Sequence, residues 1–366
     1  MTEVMFMSEA ILLAGTRKGL FTGRSDAARE AWAWDEPAFP MEEVYAIAID
    51  PREDDPLVLV GSTHVVFGPA VYRSVDGGRT FDLGDPAPVR FPEGLGASVE
   101  RVWQLCPSPS EPDVVWAGTQ PSALFRSADR GRTFELVRSL WDHPHRPEWE
   151  AGYGGQAIHT IVPHPTDPDV VTVAMSTGGV YRSEDGGATW TPHNRGIRTD
   201  FLPGEEPEFG QCVHKVAVDA GDPDRMYAQN HGGVFRSDDA GRSWTSIADG
   251  LPADFGFPIV AHPHRPGTIY VFPLTADIKR FPPDGKPAVW RSDDAGETWH
   301  ETGPGLPPEA WTVVLRDAFA TDTADPAGLY VGTRHGALWV SNDEGGAWAE
   351  VRTGLPDVCT VRAAAL

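Results

Sequence analysis

The sequence has few cysteines, few basic residues and no long apolar run, and each scarcity argues against a class of protein. Cys106, Cys212 and Cys359 cannot all pair and form no Cys-x-x-Cys motif, so we expect no disulfide framework. Lys and Arg number 30 against 53 Asp and Glu, giving a formal net charge of −23. That balance disfavours nucleic acid and membrane surfaces as partners. No apolar run approaches the roughly 20 residues of a membrane span.

The N-terminal stretch also lacks the features of a secretion signal. It carries an acid at Glu3, has no basic leader, and its apolar run is too short for the core of a signal peptide. Together with the unpaired cysteines, this predicts a cytoplasmic protein. The sequence carries no indication of oligomeric state.

A ten-residue pattern recurs six times along the chain. Its clearest copy, Tyr181 to Trp190, reads YRSEDGGATW, and the others begin at Tyr72, Phe125, Phe235, Trp290 and Trp339. Phe21 to Trp32 resembles an eroded seventh copy. The Asp of each copy can accept hydrogen bonds from its own turn, and the Gly two residues later can supply a positive φ. The closing aromatic can pack between neighbouring sheets. The pattern therefore predicts a self-stabilised hairpin and assigns no chemistry.

The spacing of these hairpins predicts a closed ring of β-sheets. The Ser residues of the six copies lie 49 to 56 residues apart, and each repeat holds four short apolar runs. Six innermost strands are expected at Val44–Ile49, Arg101–Cys106, Ala157–Val162, Val213–Val218, Phe257–Ala261 and Trp311–Leu315. The seventh is Val358–Ala364, which lies beside Ile11–Gly15. The prediction is an all-β, seven-bladed β-propeller, one domain over residues 1–366, closed by its C-terminal strand joining the first blade.

The hairpin Ser-x-Asp-x-Gly-x-Thr-Trp resembles the Asp-box, or bacterial neuraminidase repeat. Because six copies are spread along the chain, nearly its whole length is similar to the sialidase-like β-propeller superfamily. That superfamily includes sialidases, xyloglucan-active glycoside hydrolases, sortilin-type receptors and non-catalytic photosystem assembly factors, so the resemblance implies a fold more than an activity. The Phe-Arg-Ile-Pro segment of sialidases is absent, which argues against a true exo-sialidase. The resemblance implies glycoside hydrolase-like action on, or binding of, a glycan or other polar small molecule.

Ligand-binding residues are expected at one mouth of the channel, where polar residues interrupt the repetition of the blades. The candidate catalytic residues are Tyr45, Glu100, His159 and His214, with Tyr45 and Glu100 as the Tyr/Glu pair that the resemblance implies. The candidate substrate-binding residues are Arg17, Trp103, His231 and Arg334. The loops Trp141 to Gln156 and Pro192 to Gln211 add acidic and aromatic side chains on the same face.

Two other interpretations of these candidate residues remain open. A non-catalytic binding or assembly scaffold would use the ring as a platform and need no convergent ionisable groups. A divalent metal could instead be held by His159, His214 and His231, because imidazole suits Zn, Cu, Fe and Ni. Outside that alternative we expect no cofactor.

Overall fold

The computed structural model describes residues 9–152, 155–199 and 206–366, and within them the chain forms seven four-stranded antiparallel sheets. In order from the innermost strand outward, the first four blades have the following bounds. Blade 1 is Val358–Ala365, Glu9–Thr16, Gly19–Asp26 and Ala33–Trp34; blade 2 is Glu42–Asp50, Leu57–His64, Gly68–Ser74 and Ala87–Pro88; blade 3 is Arg101–Pro107, Val115–Gln120, Ala123–Ser127 and Glu135–Leu136; blade 4 is Ile158–Pro163, Val171–Met175, Gly179–Ser183 and Thr191–Pro192.

The remaining three blades follow the same order. Blade 5 is Val213–Val218, Met226–Asn230, Gly233–Ser237 and Thr245–Ser246; blade 6 is Phe255–Ala261, Ile269–Leu274, Trp290–Ser292 and His300–Glu301; blade 7 is Phe319–Thr321, Leu329–Gly332, Leu338–Ser341 and Ala349–Arg352. Helical structure in the described residues is limited to an α-helix at Arg138–Trp141 and 3-10 turns at Arg146–Glu148 and Pro283–Gly285. None of these helices is long and apolar enough to cross a membrane.

The innermost strands of successive blades contact one another around a complete ring, including the contact of blade 7 with blade 1 and of blade 1 with blade 2. The C-terminal strand pairs with the first strand of the chain from Ala10↔Ala365 to Thr16↔Val358. The predicted seven-bladed propeller, closed by its C-terminal strand, is therefore confirmed. Closure also removes the unpaired sheet edge that an open ring would expose.

One predicted strand is wrong. Residues 311–315 were expected to form the innermost strand of blade 7, but that strand is Phe319–Thr321. The apolar side chain of Val314 does enter the core, yet the segment around it follows two prolines and does not pair in the sheet. An apolar segment that is partly buried but does not pair in the sheet has the same sequence pattern as a strand, and this explains the wrong prediction.

The hairpins at the outer ends of the blades form the same pattern of hydrogen bonds, each within its own turn. In blade 3, Ser127 Oγ donates to Asp129 Oδ1 at 2.7 Å and accepts from the buried backbone N–H of Gly131 at 2.8 Å. Thr133 Oγ1 donates to Asp129 Oδ2 at 2.6 Å. Gly131 has φ +79°, a conformation that a residue with a Cβ rarely adopts. Because the turn satisfies most of its own polar groups, it holds the third and fourth strands together, and Arg73 of blade 2 adds a hydrogen bond to the carbonyl oxygen of Arg130 at 2.9 Å.

These turns should make the protein sensitive to acid. Partial burial acts to raise the pKa of Asp129, but hydrogen bonds from Thr133, Ser127 and backbone N–H groups lower it to about 2. A carboxylate with a lowered folded-state pKa contributes stability above its unfolded pKa of about 3.9 and loses it as the pH falls towards the folded value. We expect the stability difference between wild type and Asp129→Asn, measured by urea unfolding, to shrink from pH 5 to about pH 2. A difference that is constant over this range would contradict the prediction.

Candidate functional site

Six of the seven innermost strands carry an irregularity at the same level of the ring. The pairing with the second strand shifts register there, so that a residue is left out of the ladder, as in a β-bulge. Bulges re-aim side chains and are common next to binding sites. The residues at the shifts are Cys359, Tyr45, Trp103, His159, His214 and, with Pro258, Phe257.

All of these residues except His159 and Pro258 line a single pocket of about 700 Å³. Six of the eight residues predicted to act on the ligand are in its wall: Arg17, Tyr45, Trp103, His214, His231 and Arg334. His159 and Glu100 are not. The structure thus brings together most of the side chains that interrupt the repetition of the blades.

One wall of the pocket is aromatic and cationic. The Tyr45 and Trp103 rings meet edge to face with centroids 4.9 Å apart. The guanidinium carbon of Arg101 lies 4.3 Å from the Tyr45 ring centroid, and Arg101 Nη2 donates to Glu43 Oε2 at 2.8 Å. The cation–π contact and the ion pair hold this wall in one arrangement.

Glu100 is not the partner of Tyr45. Its carboxylate accepts a hydrogen bond from Gln120 Nε2 at 2.7 Å, and Gln120 Oε1 accepts one from Trp103 Nε1 at 3.0 Å. Tyr45 lies instead beside Arg17 and Cys359, and Glu43 is the nearby carboxylate. Burial raises the pKa of Tyr45 to about 12, so its hydroxyl stays protonated at neutral pH. The predicted Tyr45–Glu100 pairing therefore does not form.

His159 lies behind the pocket wall rather than in it. Its side chain is buried, and Nε2 is 3.1 Å from the hydroxyl of Ser176, which does line the pocket. Burial, with a smaller contribution from the Arg316 charge, holds the pKa of His159 well below its usual range. His159 is thus a neutral histidine that supports Ser176, which does not agree with its predicted place in the wall of the pocket.

The structure groups His214 with His231 and with Cys212, which was not predicted. The ligand atoms of these three side chains lie within 4.8 Å of one another. His214 Nδ1 is 2.6 Å from the carbonyl oxygen of Gly256, and His231 Nε2 is 3.4 Å from Asp277 Oδ2. Burial lowers the pKa of His214 well below its usual range and raises that of the Cys212 thiol. Among the described residues, the three side chains close enough to share a metal ion are therefore Cys212, His214 and His231, and not the predicted His159, His214 and His231.

The two predicted anion ligands already share a carboxylate. Arg334 Nη2 lies 2.7 Å from Asp357 Oδ2, and Arg17 Nε lies 3.9 Å from the same oxygen. All three side chains line the pocket. Because Asp357 offsets part of their charge, Arg17 and Arg334 are weaker candidates for binding an anion than the sequence predicted.

Arg316 is a second pocket residue, besides Cys212, that sequence reasoning missed. Its guanidinium carbon lies 5.1 Å from the Phe257 ring centroid and 5.8 Å from that of Trp103, and it lines the pocket. Nε is buried without a hydrogen-bond partner, and within the described residues no carboxylate pairs with this side chain. The adjacent Asp317 is engaged elsewhere by Lys215 and Arg362. Arg316 follows the segment 311–315, which was wrongly predicted to be a strand, and no motif in the neighbouring sequence indicates that its side chain lines the pocket.

Of the two long loops, the first reaches the pocket with Glu148 and Glu150, both exposed. Neither carboxylate forms an ion pair or hydrogen bond with another described side chain. The second loop contributes Gly210. Tyr153, Asp200 and Glu205 of these loops lie outside the described residues.

An ion network joins four blades next to Arg316. Asp317 Oδ1 accepts from Lys215 Nζ at 2.8 Å and from Arg362 Nη2 at 2.5 Å, and Lys215 Nζ also contacts Gln104 Oε1 at 3.3 Å. Burial acts to raise the pKa of Asp317, but the two cations lower it overall. The network links the innermost strands of blades 1, 3 and 5 to the segment that enters blade 7, and so fixes the backbone that presents Arg316.

No family model matches the chain. Its sequence is 25% identical over 287 residues to an oligoxyloglucan-reducing end-specific xyloglucanase of Emericella nidulans, covering 70% of this chain and 34% of that protein. It is 27% identical over 322 residues to a xyloglucanase of a Paenibacillus species, covering 75% of this chain and 28% of that protein. The chain therefore spans about a third of the length of these curated relatives.

Solved structures resemble the fold at lower sequence identity. A GH74 enzyme of Niastella koreensis has a TM-score of 0.59 at 17% identity, covering 92% of this chain and 54% of that one. The YCF48 protein of Cyanidioschyzon merolae has a TM-score of 0.53 at 14% identity, covering 86% and 87%. At these identities the likeness supports the propeller fold alone, and the chain is a seven-bladed propeller resembling those of GH74 enzymes.

The ion network should be essential for stability. Replacing Asp317 by Ala would leave the partly buried Lys215 and Arg362 without their shared carboxylate, which costs about 3 kcal/mol of unfolding free energy. Asp142→Ala is a suitable control, because Asp142 pairs with Arg138 on an exposed surface and should cost less than about 1 kcal/mol. Chemical denaturation of the three proteins measures both effects. Equal losses in the two variants would contradict the role assigned to the network.

Proposed function

We propose that this protein is a glycoside hydrolase-like propeller that binds a glycan bearing a negatively charged group at the mouth of its channel. The pocket combines the Tyr45, Trp103 and Phe257 rings with the guanidinium groups of Arg101 and Arg316. Aromatic rings provide apolar faces for sugar rings, and guanidinium groups donate paired hydrogen bonds to carboxylates or phosphates. A volume of about 700 Å³ is in the range of small-molecule sites and accommodates a short oligosaccharide.

The observation that carries the proposal is the unpaired Arg316. Among the described residues its guanidinium has neither a carboxylate partner nor a hydrogen bond, although its Nε is buried. Arg316 is half-buried, and removing a guanidinium partly from water without a pairing group is costly. A ligand oxyanion in the pocket would supply that partner. The protein as a whole carries a net charge of −23, so a locally cationic group here is a departure from the overall balance.

The xyloglucanase relatives support the glycan class of ligand. They do not fix the sugar, since this chain corresponds to about a third of their length. The acidic character of the ligand rests mainly on Arg316, because Arg101 is already paired with Glu43. The chemistry of the pocket therefore favours uronic-acid oligosaccharides over neutral ones.

Binding of acidic oligosaccharides tests this proposal. Wild type should bind uronic-acid oligosaccharides in isothermal titration calorimetry, and Arg316→Met, which keeps the length of the side chain, should weaken binding at least tenfold because the charge-assisted hydrogen bonds are lost. Arg352→Met serves as the control: Arg352 also lies over an aromatic ring, Trp34 at 5.3 Å, but outside the pocket. Its affinity should match wild type.

Neutral xyloglucan oligosaccharides complete the comparison. Their binding should be weaker than that of the acidic sugars and insensitive to Arg316→Met. Binding of neutral sugars that drops equally in this variant would contradict the anionic ligand but keep the glycan. The absence of binding to any oligosaccharide would contradict the glycan proposal and favour the assembly scaffold.

A hydrolytic activity is the second candidate, favoured by Glu148 and Glu150. Glycoside hydrolysis uses two carboxyl groups beside the bond that is cleaved. These two exposed carboxylates line the pocket and have no partner among the described side chains, whereas Asp277 contacts His231 and Asp357 contacts Arg334. They replace Tyr45 and Glu100 as the groups positioned for acid–base work.

Release of new reducing ends from the bound oligosaccharide tests the second candidate. Glu148→Gln and Glu150→Gln should each reduce the rate at least 100-fold, as expected for loss of a general acid or base. Glu111→Gln, which affects an ion pair with Arg126 away from the pocket, should retain the wild-type rate. Activity that survives in both pocket variants would exclude this assignment, and binding without any release would leave a lectin-like function.

A further inference from the structure

We infer that Cys212, His214 and His231 bind a divalent transition metal ion, of the zinc class, in the wall of the pocket. One thiolate and two imidazoles are ligands that zinc and its neighbours prefer, whereas magnesium and calcium select oxygen. The three ligand atoms lie within 4.8 Å of one another, close enough for small side-chain rotations to bring them around one ion. The inference does not depend on the proposed glycan, because a metal can be measured without one.

The three side chains belong to one hairpin, which fixes their relative positions. Cys212 immediately precedes the innermost strand of blade 5, and His231 follows the second strand. The backbone N–H of His231 donates to the carbonyl oxygen of Cys212 at 2.9 Å, which ties the two ends of the site together. His214 lies at the register shift of the innermost strand, and its side chain lines the pocket with the other two. The site is therefore built by strand pairing rather than by a flexible loop.

The hydrogen bond of His214 leaves one ring nitrogen, Nε2, able to bind a metal. A carbonyl oxygen can only accept, so the 2.6 Å contact between Nδ1 and Gly256 O places the proton on Nδ1. Nε2 then keeps its lone pair. Metal-binding histidines typically donate their other N–H to a backbone carbonyl or a carboxylate in this way.

Asp277 provides the corresponding partner for His231. Its Oδ2 lies 3.4 Å from His231 Nε2, and Asp277 also lines the pocket. Carboxylate–histidine contacts of this kind orient a metal-binding imidazole and increase its basicity. Both histidines of the set thus have the outer partners that metal-bound histidines require.

The nearby charges restrict the form of the site. Arg316 and Arg280 line the same pocket, so a dication would be repelled unless the ligands offset its charge. A Cys212 thiolate and the Asp277 carboxylate together supply two negative charges. Three protein ligands also leave a fourth position of a tetrahedral ion open, as in catalytic rather than structural zinc sites. Since all three ligands line the pocket, the open position can face a bound molecule.

Cobalt binding tests the site directly. Protein without an affinity tag, purified without chelator, should bind one Co²⁺ per chain and develop a sulfur-to-cobalt charge-transfer band in the near ultraviolet. Cys212→Ser should abolish the band, and His214→Ala should abolish stoichiometric binding after dialysis. Asp277→Asn removes only an outer partner and should weaken binding about 10- to 100-fold.

Two matched controls keep the ligand assignment falsifiable. Cys359 is also a buried cysteine of the pocket, and His159 is also a buried histidine beside it, but neither belongs to the set. Cys359→Ser and His159→Gln should therefore keep both the band and the stoichiometry. Loss of metal in either control, or a band that persists in Cys212→Ser, would overturn the proposed ligands.

A measurement on the wild-type protein covers the case in which a variant fails to fold. Zn²⁺ that binds the folded state should raise the melting temperature in a concentration-dependent manner, and Mg²⁺ should leave it unchanged. The absence of both the Zn²⁺ effect and the Co²⁺ band in wild type would overturn the site itself. In that case Cys212 would be a buried thiol that packs against two histidines. Sugar binding by such a protein would leave the proposed function intact.

Discussion

The pairing of the C-terminal strand with the first strand of the chain is the constraint on which the rest of the molecule depends. It joins Val358–Ala365 to Glu9–Thr16 and gives every innermost strand a neighbour on both sides. The same pairing builds one side of the pocket, since the backbone N–H of Arg17 donates to the carbonyl oxygen of Asp357 at 3.1 Å. The strand pairing that completes the propeller therefore also positions Arg17, Asp357 and Cys359 in the wall of the pocket.

The blades repeat the same hydrogen bonds at their outer hairpins, whereas the residues at their inner register shifts differ from blade to blade. At the outer hairpins the same Ser, Asp and Gly hydrogen bonds recur, as in Ser183, Asp185 and Gly187, and they stabilise each blade locally. At the inner strands the same register shift recurs, but the residue that occupies it changes from blade to blade. Local stability thus comes from what the repeats share, while the side chains that line the pocket lie at positions at which the repeats differ.

The fold and much of the pocket were predictable because both follow from periodic features of the sequence. The hairpin pattern set the number of blades, and alignment of the repeats placed Tyr45, Trp103 and His214 at one level of the ring. Arg316 and Cys212 were missed because their environment depends on contacts between segments distant in sequence, including an irregular stretch that does not pair in the sheet. His159 occupies the same position in its strand as His214, yet its ring contacts Ser176 behind the wall, and alignment alone cannot distinguish the two orientations.

The register shifts have a consequence for how such a site changes. A residue left out of the ladder has no cross-strand partner, so its side chain can be replaced without a direct loss of strand pairing. At the mouth of this propeller the backbone arrangement is therefore repeated, while the side chains at the register shifts vary. A few substitutions at these positions could redirect its specificity while leaving the hairpins, and the stability they provide, untouched. A ring of repeated blades is in this sense well suited to diversification, because a change of side chain at one register shift leaves the strand pairing of the other six blades in place.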